Sequence, residues 1–408
     1  MSSRERGQRK GALLIGQSGG ATAVINASLA GAVQEATRSE QVGGMYGALH
    51  GIEGVLKRQI IDLRQESDET WSRALATPSA ALGSCRYKLK PEDPARALET
   101  LRALNVRYFL YIGGNDSADT AHRLALAARD AEYDLRVIGI PKTIDNDLPI
   151  TDHCPGYGSA ARFIALATMD SALCTEAIPH HYPVKVIEVM GRDAGWLAAA
   201  SALGKERPED APHLIYTPER PFSRERFLAA VREVHQAVGY VVVVVAETIR
   251  DEQGQPLGAA GAQGADAFAH PLLSGTAQHL VELVRRELGL RARFEKPGDL
   301  QRMSSVAVSA VDREEAYLVG QMAVRRALDG ASDQMVTLVR QPGPRYACET
   351  GLADLEAIAN AQRLLPDDFL DTAGASVTQA FYDYALPLIG DPLPRHVRLK
   401  KALIGGII

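Results

Sequence analysis

Residues 139–147 read Gly-Ile-Pro-Lys-Thr-Ile-Asp-Asn-Asp and follow an apolar run, Leu135 to Ile140, that predicts a buried strand. A turn uses the proline and the asparagine, but it has no need of a lysine and a carboxylate three positions apart. Asp145 can take a proton from an attacking hydroxyl. Lys142 can neutralise charge on a transferring phosphoryl group or on its leaving group. Thr143 can bond a phosphate oxygen, and Asp147 can orient the loop or help hold a metal ion. This is equipment for phosphoryl transfer, where positioning and charge neutralisation supply most of the catalysis.

Other short segments carry polar groups of the same kind. In Ile15–Ala27, Gly19-Gly20 separates an apolar strand from a helical stretch. Such a turn lets backbone N–H groups approach an anion, and it also suits a plain βα connection. Gly113-Gly114 repeats the arrangement and adds Asn115 and Asp116. Asp116 can act as a helix cap, or the pair can hold a metal ion beside a polyphosphate. Arg86 follows a Gly-Ser turn and becomes a phosphate ligand if that loop folds over the same cleft. Met190-Gly191-Arg192 ends another strand, where an arginine needs an anionic partner: Glu188, a carboxylate elsewhere in the chain, or a substrate. Glu247 ends the run Tyr240–Glu247 and can accept hydrogen bonds from sugar hydroxyls. Arg291, Arg293, Lys296 and Arg302 fall within twelve residues. They form either a second anion site or a charged surface loop.

These residues have to be positioned by a frame, and the apolar runs predict one. Ala12–Ile15, Arg107–Ile112, Leu135–Ile140, Val184–Met190 and Tyr240–Glu247 read as strands, with helical patterns from about Thr22, from about Ser117 and near Trp196. This order predicts an α/β fold with doubly wound, mostly parallel sheets, whose ligands sit beyond the carboxyl ends of the strands. The polar clusters fall at those ends. Asp251–Gln263 is expected to be a loop. Gly330–Pro344 and the stretch after Cys348 are expected to be less regular. A length of 408 residues allows two domains, and a net charge of −5 gives no case for a nucleic-acid partner. The polar start precedes no apolar segment long enough for a signal peptide or a membrane span. Four cysteines without CxxC spacing point to a reduced, cytoplasmic protein. Neither a Walker A sequence nor a kinase-type GxGxxG is present.

Taken together, Gln17–Gly20, Gly113–Ser117, Pro141–Asp147, Glu188–Arg192, Val243–Glu247 and Gly298–Arg302 resemble the phosphofructokinase family in motif, order and spacing. The resemblance implies two Rossmann-like α/β domains with the active site in the cleft between them. A larger donor domain would comprise 1–156 plus about 301–365, and a smaller sugar-phosphate domain 157–300 plus part of 366–408. It implies phosphorylation of the C1 hydroxyl of fructose 6-phosphate, with a magnesium ion and a homo-oligomer, dimer or tetramer. Asp145 matches the general base, and Thr143 and Asp147 match the rest of its loop. Met190, Gly191, Arg192, Glu247 and Arg302 match sugar-phosphate ligands. Arg293 matches an arginine lent by a neighbouring subunit. Gly20 and Arg86 match donor-side positions.

Within that family, ATP-dependent members carry glycine at the positions of Asp116 and Lys142, whereas the pyrophosphate-dependent branch carries Asp and Lys, as here. An aspartate puts bulk and negative charge where the α-phosphate of ATP would lie. Like charges ~4 Å apart repel by about 4 kcal/mol at an effective dielectric of 20. The resemblance therefore implies pyrophosphate as donor. The alternatives are an ATP-dependent enzyme, which Asp116 opposes, and a non-catalytic regulatory subunit, which Asp145 opposes. Three positions depart from the family pattern. Asn115 replaces a metal-binding aspartate, Pro183 replaces an arginine of many ATP-dependent relatives, and Asp299 replaces a histidine or tyrosine near the sugar phosphate. The last of these leaves sedoheptulose 7-phosphate as a second acceptor to weigh.

Overall fold

The computed structural model describes residues 10–258 and 275–402. Its strands are β1 (Gly11–Gln17), β2 (Val42–Ala48), β3 (Ile60–Asp62), β4 (Val106–Gly113), β5 (Arg136–Pro141), β6 (Val184–Val189), β7 (Leu214–Tyr216), β8 (Val241–Ala246), β9 (Ala292–Glu295), β10 (Gln334–Arg340) and β11 (Cys348–Asp354). They form a seven-stranded sheet, ordered β11-β10-β5-β4-β1-β2-β3, and a four-stranded sheet, ordered β7-β8-β6-β9. All pairs in the smaller sheet are parallel. In the larger sheet only the edge strands β3 and β11 run antiparallel.

The central strands are apolar because both of their faces are covered. In β1, Leu14 packs to one side while Leu13 and Ile15 pack to the other. Strands β4 and β5 split the same way, with Phe109, Tyr111 and Val137 against Leu110, Ile112, Ile138 and Ile140. Every residue of β8, Val-Val-Val-Val-Val-Ala, is buried. On the larger sheet, helix Ile25–Thr37 lies against helix Ala310–Leu328 at backbone contact distance. A Cβ on Gly31 would meet the Tyr317 carbonyl oxygen at 2.2 Å, so any larger residue would push the helices apart.

The expected strands and helices are present, including helices Asn115–Asp130 and Trp196–Ala200. Two expectations of irregularity are corrected. The stretch Gly330–Pro344 contains β10, and the stretch from Cys348 begins with β11. Strand β11, Cys-Glu-Thr-Gly-Leu-Ala-Asp, is an edge strand with a solvent side, so it keeps polar residues and shows no apolar run. Strand β2 carries a Gly-Gly pair, which hides it in the same way. Of the loop expected at 251–263, residues 251–258 form no helix or strand, and 259–263 lie outside the described residues.

The chain crosses between the sheets repeatedly. Helix Tyr157–Ala177 packs into the core of the smaller sheet. Helix Ala310–Leu328, β10 and β11 return to the larger one. Leu365, Leu370, Phe381, Ala385, Leu388 and Ile389 then join the core of the smaller sheet again. Among the described residues no helix is long and apolar enough to cross a membrane.

Candidate active site

A cleft of about 660 Å³ opens where strands of both sheets end. Three strand ends of the larger sheet supply one wall. After β1 the chain turns at Gly19, whose φ of +76° suits glycine. After β4, helix Asn115–Asp130 starts with its N-terminal N–H groups near the cleft and Asp116 in its first turn. After β5 comes Lys142, whose own N–H donates to the Gly113 carbonyl at 3.0 Å. The loop carrying Arg86 does fold over the same cleft. Gly19 N–H donates to Cys85 O at 3.0 Å, and Ser84 Oγ donates to Gly19 O at 2.5 Å.

Lys142 is 3% exposed, and its Nζ donates to Gly20 O at 2.9 Å. Burial lowers its pKa to about 8, with Arg302 and Arg86 adding to the effect and Asp145 and Asp147 opposing it. Asp145 is pushed the other way. Burial raises its pKa first, and the neighbouring carboxylates of Asp147 and Glu247 raise it further, against Lys142 and Arg192. Asp147 is raised by burial too. Thr143 Oγ1 accepts from Asp145 N–H at 3.1 Å and so shapes the turn that presents the carboxylate. A lysine with lowered proton affinity and a carboxylic acid with raised affinity, buried together in one cleft, mark these two residues as candidates for the chemistry of the site.

The smaller sheet supplies the opposite wall. Met190 and Arg192 follow β6, and Glu247 follows β8. Gly191 lies between the first two with φ +124° and is not itself a wall residue. Glu188 is taken by Lys296, at 2.7 Å, and by Ala277 N–H. Burial raises the pKa of Glu247, while Arg192 lowers it. Met190 N–H donates to Gln301 Oε1 at 2.8 Å, which ties this wall to the short helix Leu300–Met303. From that helix Arg302 crosses the cleft. A Cβ on Gly20 would stand 2.7 Å from Arg302 Nη1, so glycine there lets the guanidinium in. Arg302 Nη2 pairs with Asp299 at 2.7 Å, and its buried Nε has no hydrogen-bond partner among the described residues.

The structure thus gathers Gly20, Arg86, Asn115, Asp116, Lys142, Thr143, Asp145, Asp147, Met190, Arg192, Glu247 and Arg302 around one cleft. Three expected site residues do not line it: Gly191 lies between two that do, and Arg293 and Asp299 stand apart. Arg293 on the edge strand β9 lies over the Tyr182 ring and donates to Cys174 Sγ. Asp299 is engaged by Arg302 outside the wall. Sequence reasoning missed Thr22, Asp193, Asn360 and Gln362, which also line the cleft. Thr22 and Asp193 adjoin motifs already singled out. Asn360 and Gln362 follow an edge strand and a one-turn helix, so only the tertiary fold brings them here.

The phosphofructokinase family profile matches residues 12–327. The chain belongs to the phosphofructokinase family. It is 42% identical to the pyrophosphate–fructose 6-phosphate 1-phosphotransferase of Xanthomonas campestris, over 97% of each chain. It is 41% identical to the protein of that name from Rhodospirillum rubrum, over 98% of this chain and 99% of the other. Among solved structures it is similar to the pyrophosphate-dependent phosphofructokinase of Marinobacter aquaeolei, with a TM-score of 0.85, 38% identity and 98% of each chain covered. As expected from the sequence, the cleft of this chain lies at the carboxyl ends of parallel strands.

Proposed function

We propose that the chain transfers a phosphoryl group from pyrophosphate to the C1 hydroxyl of fructose 6-phosphate, giving fructose 1,6-bisphosphate and orthophosphate. The observation that carries this reading is the pairing of Asp116 with Lys142 on the donor wall of one cleft, with Lys142 Nζ at the Gly20 carbonyl. Asp116 sets negative charge and bulk against the α-phosphate of a nucleotide. Lys142 meets the charge of the small phosphate that leaves. The relatives named pyrophosphate–fructose 6-phosphate 1-phosphotransferase support the same donor and acceptor.

In this reading the larger sheet holds the donor and the smaller sheet the acceptor. Pyrophosphate lies against Gly20, Arg86 and the first turn of helix Asn115–Asp130. Arg192, Glu247, Met190 and Arg302 hold the sugar phosphate. Asp145 takes the proton of the C1 hydroxyl as its oxygen bonds to phosphorus. The bridging P–O bond breaks, and orthophosphate departs beside Lys142. The reaction exchanges one phosphoanhydride for a phosphate ester and orthophosphate, so it is expected to be reversible.

A divalent cation belongs to this chemistry, and magnesium is the proposed one. Among the described residues no cluster of three or more His, Cys, Asp or Glu could hold a metal ion by itself. The site fits an ion held largely by substrate oxygens with one or two carboxylates. Asp145 and Asp147 are both buried, and the Asp147 carboxylate raises the proton affinity of Asp145, a repulsion that a cation relieves. Asn115 fits less well, since its amide donates to Ala361 O and its Oδ1 accepts from Asp116 N–H. Bound with the donor, magnesium would neutralise charge on the transferring group. The reading also includes a cytoplasmic homo-oligomer, in which Arg293, on an exposed edge strand away from its own cleft, reaches the cleft of a second copy.

Phosphorus NMR of the purified chain with magnesium, pyrophosphate and fructose 6-phosphate tests the proposal. Matched growth of orthophosphate and a new sugar-ester resonance is expected. Pyrophosphate that persists unchanged would overturn it.

A further inference from the structure

The segment after β11 returns to the cleft beyond helix Leu355–Ile358, and Arg363 meets the loop that bears Asp145. Its backbone N–H donates to Asp147 O at 2.7 Å. Its Nη2 donates to Asn146 O at 2.9 Å and its Nη1 to Thr151 O at 2.8 Å, and Nη1 also reaches Asp152 O. Four carbonyls of one loop therefore end on one residue. Tyr384 adds to the clamp, since its hydroxyl accepts from Asn146 Nδ2 and donates to Asp152 O, both at 2.8 Å.

The loop does not hold this shape by its own preferences. Asn146 and Ile150 have left-handed backbones, with φ of 54° and 62°. That region is unfavourable for a β-branched residue, and Ile150 is 59% exposed, so its side chain is not packed into place. The same segment is fastened to the acceptor wall. Arg363 lies over the Trp196 ring, 4.6 Å from its centroid, and Trp196 Nε1 donates to Arg363 O at 3.2 Å. Trp196 opens its helix four residues after Arg192. Glu219 Oε1 accepts from Gly195 N–H at 2.8 Å and from Leu365 N–H at 2.9 Å, a second tie between the segment and the acceptor turn.

We propose that Arg363 is a positioning residue for phosphoryl transfer, fixing the Lys142–Asp147 loop of the larger sheet against the Arg192 turn of the smaller one. It is not among the residues lining the cleft; it sets the distance between groups that are. The proposal rests on the reading of Asp145 as base. A guanidinium suits the task because its planar fork reaches carbonyls on two sides of the loop at once, whereas an ammonium is a single point of donors.

The test uses the full chain with Arg363→Lys, which keeps the charge and loses the fork, and Arg363→Ala, which leaves room for methylguanidinium. We expect kcat per folded chain to fall about 10²-fold in both variants, the scale of an ångström-sized misplacement. KM for each substrate should stay within about threefold, because the groups that bind substrate are intact. Methylguanidinium should restore at least about tenfold of the lost rate in the alanine variant and none in the lysine variant, where the space is filled. If the alanine variant does not fold, Arg363→Lys and Tyr384→Phe decide, the latter with a loss of about tenfold in kcat at unchanged KM. Variants that melt earlier but keep kcat per folded chain within about threefold would overturn the proposal, as would a rise in KM at unchanged kcat. The wild type is assayed first with both pyrophosphate and ATP. Failure with pyrophosphate refutes the donor assignment alone, and the Arg363 arms then run with the donor that works.

Discussion

Replacing Lys142 by methionine separates what this residue does for catalysis from what it does to the fold. Its Nζ lies 2.9 Å from Gly20 O at the donor wall, and it is 3% exposed. Losing one preorganised donor to transition-state charge costs about 2.7–4 kcal/mol, so pyrophosphate-driven kcat should fall about 10²–10³-fold. Stability should move the opposite way. The pKa falls from 10.5 to about 8. The unfolded chain therefore holds the proton more tightly, and folding strength rises with pH between about 8 and 10.5. A drop of that size corresponds to roughly 3 kcal/mol of strain at pH 7. Methionine removes that strain, less what Asp145 loses with its cationic neighbour. Initial rates with pyrophosphate measure the first effect, and urea melts of wild type and Lys142→Met at pH 7 and pH 10 measure the second. The variant should be the more stable at pH 7, and its advantage should shrink at pH 10. A kcat within about threefold of wild type would refute the assignment of Lys142 to the leaving group. A pH-independent stability difference would refute the electrostatic account of its burial.

Asp145→Asn should lower kcat by at least ~10², with a smaller change in KM for the acceptor, because the amide keeps the shape and loses the base. Stopped-time rates on the folded variant check this, and a near-normal kcat removes Asp145 from the role. Arg302→Ala should chiefly raise KM for fructose 6-phosphate, by about 10- to 100-fold, for charge-assisted bonds of about 1.5–3 kcal/mol. Its guanidinium also approaches Gly20, so a rise in the pyrophosphate KM instead would assign Arg302 to the donor.

The central frame was readable because its strands are buried on both faces and appear as uninterrupted apolar runs. The βα turns announced themselves through Gly19-Gly20 and Gly113-Gly114, and the cleft residues beside them followed from one rule about strand ends. Edge strands were less legible. In β11, Cys348–Asp354, polar residues are tolerated on the open side, and no run survives. Arg293 and Arg302 looked alike in a single basic stretch. Composition alone does not separate them; the family resemblance gave them different roles, and the fold sends Arg302 across to Gly20 and leaves Arg293 on strand β9 over Tyr182. Asn360, Gln362 and Arg363 carry no local signal at all. Their place depends on the last crossing of the chain back toward the smaller sheet, a contact more than two hundred residues long in sequence for the Arg363–Asn146 pair.

Donor choice is the most direct test of the whole account. Steady-state rates of the wild-type chain with fructose 6-phosphate, at matched free magnesium, should be measured with pyrophosphate and with ATP over the same concentration range. The pairing of Asp116 with Lys142 predicts rapid turnover with pyrophosphate and little with ATP. High activity with ATP and none with pyrophosphate would contradict it.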